Sequence, residues 1–140
     1  MRTILLEFKG FYLEPGIKRF PEGSGIYCVY ASARHISSES GKSTVSIKKL
    51  LYIGEADDMK NEIMENEERK KWQEALAGHQ ILCFNYASIR AEDGRSRARA
   101  ALLYKYLPLL NKQENKSFNY GETEVLTSGE NIYLGNFILK

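Results

Sequence analysis

The 140-residue chain has two cysteines, three prolines, one tryptophan and two histidines. Cys28 and Cys83 sit in separate apolar runs with no framework spacing, so a disulfide scaffold is excluded and a reducing, cytoplasmic compartment is the expectation. His35 and His79 are isolated, and no zinc pattern can be assembled from these residues. No apolar run approaches the roughly 18 residues of a membrane span. MRTILLEFKG reaches acidic Glu7 after a very short apolar stretch, which argues against a signal peptide. Charge of one sign is missing too: 20 Lys and Arg face 18 Asp and Glu, a net of +2. That balance alone decides nothing about nucleic acid. Leu, Ile, Val and Phe make up a quarter of the chain. This is enough for a packed core and excludes a disordered or low-complexity chain.

The chain shows no repeat or linker and reads as one domain over residues 1–140. Residues 3–13 are rich in strand formers and stop at Pro15-Gly16. Gly25 to Tyr30 and Val45 to Ile53 predict an antiparallel hairpin around the polar segment 33–44, expected as a long loop. Asp57 or Asp58 is placed to cap a helix ending near Asn66, and a second helix is expected over 68–77. Residues 81–89 predict a buried strand. Asp93 is expected to cap a helix running through Leu107 to Pro108. The tail, 112–140, is polar until a strand pattern over 132–139. The sum is an α+β fold, with a small antiparallel sheet flanked by helices.

The predicted hairpin carries Gly25-Ile26-Tyr27 on one strand and Tyr52-Ile53-Gly54 on the other, with a helix directly after the second. A later block reads Arg99-Ala100-Ala101-Leu102-Leu103, then Pro108 and Asn111. Together, over residues 24–111, these resemble the GIY-YIG nuclease family. The resemblance implies phosphodiester hydrolysis with one divalent metal, Mg2+ or Mn2+. Two tyrosines would handle the attacking water, an Arg would neutralise the phosphate, and a Glu would hold the metal. The tyrosines fall on Tyr27 and Tyr52, and the family Asn falls on Asn111. The Arg position is Glu62 and the Glu position is Arg99, so both charges are inverted. A His usual in the family falls near Asn66.

The resemblance therefore implies a degenerate member with impaired or lost hydrolysis, no cofactor, and a role in binding. Nucleic acid would engage the segment carrying Arg95, Arg97 and Lys105. A protein partner would engage the acidic helix 55–68, whose seven acids and single Lys60 oppose phosphate. One alternative is an active metal-dependent DNA endonuclease with Glu62 as metal ligand and Arg99 as phosphate clamp. Another is a purely structural or protein-interaction domain. Helical spacing puts Arg99 on the face of Leu102, Leu103 and Tyr106, where an arginine wants a carboxylate, with Glu62 as the candidate. Tyr27, Tyr52 and Arg99 are expected to line one concave surface with Glu62 at its edge. Trp72 reads as core, and Lys48-Lys49 and Arg69-Lys70-Lys71 as solvated surface.

Overall fold

The computed structural model describes residues 1–111 and 117–140. Six strands form one sheet: β1 (Arg2–Leu13), β2 (Gly25–Ile36), β3 (Ser43–Ala56), β4 (Ile81–Ser88), β5 (Thr123–Gly129) and β6 (Phe137–Leu139). Their spatial order is β3-β2-β4-β1-β5-β6. Strands β1 and β5 run parallel, and every other pair is antiparallel. The fold is thus α+β, but the sheet is mixed and six-stranded, which corrects the expected small antiparallel sheet. The sequence hid β5 because TEVLTSG is polar. Only Thr123 and Val125 of it are buried, and the ladder to β1 supplies what apolar alternation usually signals.

Each element follows from local chemistry. In β1 the buried residues Ile4, Leu6 and Phe8 alternate with the exposed Thr3, Leu5 and Glu7, one face in and one face out. The first nine residues of β2 are all buried, as expected of a strand covered on both faces. Helix α1 (Met59–Glu65) is capped by Asp58, whose carboxylate accepts from the Asn61 amide at 3.3 Å. Helix α2 (Arg69–Glu74) follows. Helix α3 (Glu92–Tyr106) starts without a side-chain cap. Asp93 lies in its first turn and pairs with Arg2 at 3.5 Å, a correction to the capping role expected of it. The helix ends where Leu107 adopts φ +49° ahead of Pro108.

Two cores lie on the two sheet faces. Ala98, Ala101, Leu102 and Leu103 of α3 pack over Ile26, Cys28, Tyr30 and Ile53. Met59, Ile63 and Trp72 of α1 and α2 pack over Tyr27, Val29, Leu51 and Phe84. Segment 33–44 is no long loop. Ala33–Ile36 pairs with Ser46–Ser43, and the turn closes with the Ser37 amide donating to the Lys42 carbonyl at 2.8 Å. A two-stranded ribbon exposed on both sides needs no apolar alternation, so its pattern was invisible in sequence. The last strand is shorter than expected, because Tyr133 at φ +66° breaks the extended run. The Tyr133 hydroxyl donates to the Ile47 carbonyl of β3 at 2.6 Å, so the sheet curls until the β5–β6 connection reaches the far edge.

Candidate functional site

The two tripeptides lie side by side. Tyr27 of β2 stands opposite Gly54 of β3, and Gly25 opposite Ala56. A Cβ at residue 54 would overlap the Tyr27 phenol, so only glycine lets that ring lie across β3. A Cβ at residue 25 would collide with the Ala87 carbonyl of β4. The two glycines therefore let side chain and neighbouring backbone approach closely.

Tyr27 and Tyr52 share a face, their ring centroids 6.2 Å apart and tilted by 35°. Trp72 closes over both, at 6.4 Å from Tyr27 and 5.4 Å from Tyr52. Tyr27 has no exposed surface and Tyr52 is half-buried. The Tyr27 hydroxyl ends in a three-member polar cluster. Asn66 Nδ2 donates to it at 3.1 Å and to Glu62 Oε1 at 2.9 Å, and the hydroxyl itself donates to Glu62 Oε1 at 3.5 Å. Burial pushes the Tyr27 phenol far above its ordinary range, and the charges of Tyr52 and Glu62 push the same way. The Asn66 hydrogen bond and Arg99 act in the opposite sense without reversing it. The phenol is neutral across all ordinary pH.

Helix α1 positions this cluster: the Asp58 cap fixes its start, and Glu62 and Asn66 follow one turn apart on one face. Asn66 ends the helix, and its Oδ1 accepts from the Glu68 amide at 2.7 Å. Both Asn66 and Trp72 belong to the site. The sequence marked Asn66 only as a missing His and Trp72 only as core, since nothing in the linear pattern brings them to Tyr27.

Arg99 reaches the same strand from α3. Its Nε donates to the Ile53 carbonyl at 3.3 Å. Glu62 turns to Asn66 and Tyr27, and the ion pairs among the described residues include none between Arg99 and Glu62. Asn111 is buried and holds the outer edge of β3: its Oδ1 accepts from the Ile53 amide at 2.8 Å, and its Nδ2 donates to the Ile53 carbonyl at 3.1 Å. It satisfies Ile53 as a further strand would. Asn111 is a structural clamp on the Tyr52-Ile53-Gly54 strand.

The basic segment of α3 does not form one surface. Arg95 is 5% exposed. Its Nη2 lies 2.7 Å from Asp57 and its Nε 3.5 Å from Glu55. Arg97 donates to Thr123 Oγ1 at 2.8 Å and to the Gly121 and Glu122 carbonyls, and its guanidinium lies 5.7 Å from the Tyr120 ring. Lys105 is exposed beside the Phe137 ring. Arg95 is thus spent internally, and Arg97 is pinned to the segment that leads into β5. The acidic helix region is divided as well. Glu55 and Asp57 are taken by Arg95, and Asp58 by its capping bond. The groove of about 430 Å3 between α1 and α3 is nevertheless lined by Asp57, Asp58, Glu62 and Glu92.

The residues do not suit a divalent metal at the position the sequence resemblance implies. A guanidinium cannot become a ligand, and Asn111 uses both its amide oxygen and nitrogen on Ile53. Among the described residues no three His, Cys, Asp or Glu side chains converge to hold a metal ion. Among them, too, no helix is long and apolar enough to cross a membrane. Comparison of the chain with protein-family models, with curated proteins and with solved structures yields no match.

Proposed function

We propose that this chain is a GIY-YIG-like domain that has lost phosphodiester hydrolysis and acts by binding. The observation that carries this reading is the state of Tyr27. A tyrosine that handles an attacking water needs access to that water and a phenol able to exchange a proton. Tyr27 is fully buried, neutral, and held by Glu62 and Asn66 beneath Trp72. The inverted charges agree. Glu62 stands beside the phenol, where an incoming phosphate would meet a carboxylate instead of a cation.

The test is cleavage of supercoiled plasmid in Mg2+ or Mn2+. The wild type is expected to leave the plasmid intact. The double change Glu62→Arg with Arg99→Glu removes the carboxylate that holds the Tyr27 hydroxyl and puts a phosphate cation and a carboxylate at the positions the resemblance implies, and it is expected to gain weak metal-dependent nicking. Either single change should gain nothing, because each leaves one charge wrong. Robust wild-type cleavage that the double change abolishes would overturn this reading and favour a relocated active site built on Glu62 and Arg99.

A further inference from the structure

The far end of β2 differs from its motif-bearing end. Arg34 lies seven residues beyond Tyr27, roughly 23 Å along the strand. There β2 has passed the end of β4 and pairs only with β3. Against this ribbon stands the turn formed by Glu14–Arg19. Between them lies a pocket of about 500 Å3 lined by residues that include Phe11, Tyr12, Pro15, Arg19 and Arg34. Among the described residues no carboxylate lines it. Arg34 Nε donates to Ser43 Oγ at 2.9 Å, and this is the one side-chain bond it makes among the described residues. The Arg19 guanidinium folds back over Gly16, where a Cβ would stand 3.2 Å from its Nη2. Neither arginine has an ion pair among the described residues. The nearby Glu14 carboxylate gives its Oε1 to Arg69, and its Oε2 is buried with no hydrogen-bond partner among the described residues.

Three other arginines are matched by carboxylates: Arg95 by Asp57 and Glu55, Arg69 by Glu14 and Arg2 by Asp93. Two arginines without ion pairs among the described residues line one pocket beside the half-buried rings of Phe11, set edge-on to Tyr30, and Tyr12, set against Phe20 and Tyr86, and so combine the groups that grip a phosphate with those that stack a base. We propose that this pocket binds single-stranded nucleic acid, with Arg19 and Arg34 on the phosphates and the Phe11–Tyr12 edge against an unstacked base. A strand fits better than a small nucleotide. Arg19, Arg34 and Pro15 are exposed at the rim, whereas a small ligand needs most of its surface enclosed. A strand also fits better than a duplex, whose bases are already stacked on one another. The proposal rests on the reading of the chain as a binding domain and adds the ligand class and its place.

The experiment is fluorescence anisotropy with the full chain and a fluorescein-labelled oligothymidylate, over a salt series. Two phosphate contacts predict a log–log salt slope of about −1.4, at ~0.7 per phosphate for a single strand. Arg19→Glu with Arg34→Glu should weaken binding by at least about tenfold and flatten the slope, because it removes both contacts and adds repulsion. The milder Arg19→Gln with Arg34→Gln should fall between. Lys105→Glu, on another face, should leave affinity unchanged. A matched duplex and adenosine monophosphate should compete poorly. No binding by the wild type, stronger binding of the duplex or the mononucleotide, or loss in Lys105→Glu with retention in the arginine variants would each overturn the site. The plasmid assay is independent of these outcomes, so failure here leaves the loss of hydrolysis to be judged on its own.

Discussion

The two ends of strand β2 put the same kinds of residue to opposite use. At the Tyr27 end the strand is flanked by β3 and β4 and covered by helices on both faces, and the Tyr27 hydroxyl is satisfied internally. Glu62, Asn66 and the Tyr27 hydroxyl answer one another. At the Arg34 end the ribbon stands clear of β4, and Arg34 is exposed with no ion pair among the described residues. A buried polar group must be paired or it costs the full desolvation penalty. An exposed cation carries no such requirement and stays available to a ligand. Resemblance of sequence is concentrated at the first end, whereas unspent binding capacity is concentrated at the second.

This contrast can be broken most severely at Trp72. Trp72→Ala empties the space above Tyr27 and Tyr52 and should cost about 3–5 kcal/mol, measured by urea unfolding. It should spare the geometry of the Arg34 ribbon, which Trp72 does not touch. Asn111→Ala comes next. It strands the buried Ile53 amide at the edge of β3 and should cost about 1–3 kcal/mol. A loss below a few tenths of a kcal/mol would show that the clamp is dispensable.

The phenol at the sealed end gives a pH signature. The folded-state pKa of Tyr27 is raised above its ordinary value of 10.0, so above that pH the unfolded chain releases the proton first. The contribution is present below pH 10 and is lost as pH rises beyond it, at up to about 1.4 kcal/mol per pH unit for one proton. Buried Cys28 and Cys83, both pushed up to about 12, add losses of the same sign from their own ordinary value of 9.0 upward. Tyr27→Phe should therefore flatten the fall in stability above pH 10 while leaving the Cys contribution. An unchanged slope would mean the phenol is not sealed. The smallest effect on stability belongs to the open end. Arg19→Gln with Arg34→Gln should shift unfolding by no more than about 0.5 kcal/mol, since neither side chain has an ionic partner to lose.

Much of the fold was legible in sequence where a residue type forces a conformation. The hairpin, the Asp58 cap, the Pro108 stop and the buried strand 81–89 could be read from local patterns, and Trp72 as core from its amphipathic setting. Asn66, Arg19 and Arg34 could not, because each acquires its role from a residue tens of positions away. Strand β5 and the continuation of the ribbon through Ser43 were hidden for a related reason. Backbone ladders hold them, and ladders leave little trace in side-chain polarity.

What the sequence by itself determined is the pair of tripeptides and the acid at 62 and base at 99. These are local or fixed-spacing properties, carried by the covalent chain. Only the tertiary structure decided that Tyr27 is sealed, that Glu62 answers Asn66 and Tyr27, that Arg95 is internal and that Arg19 and Arg34 remain unmatched. Charge and hydrogen-bonding capacity belong to a residue, but whether they are spent or free depends on which distant groups folding brings within about 3–4 Å.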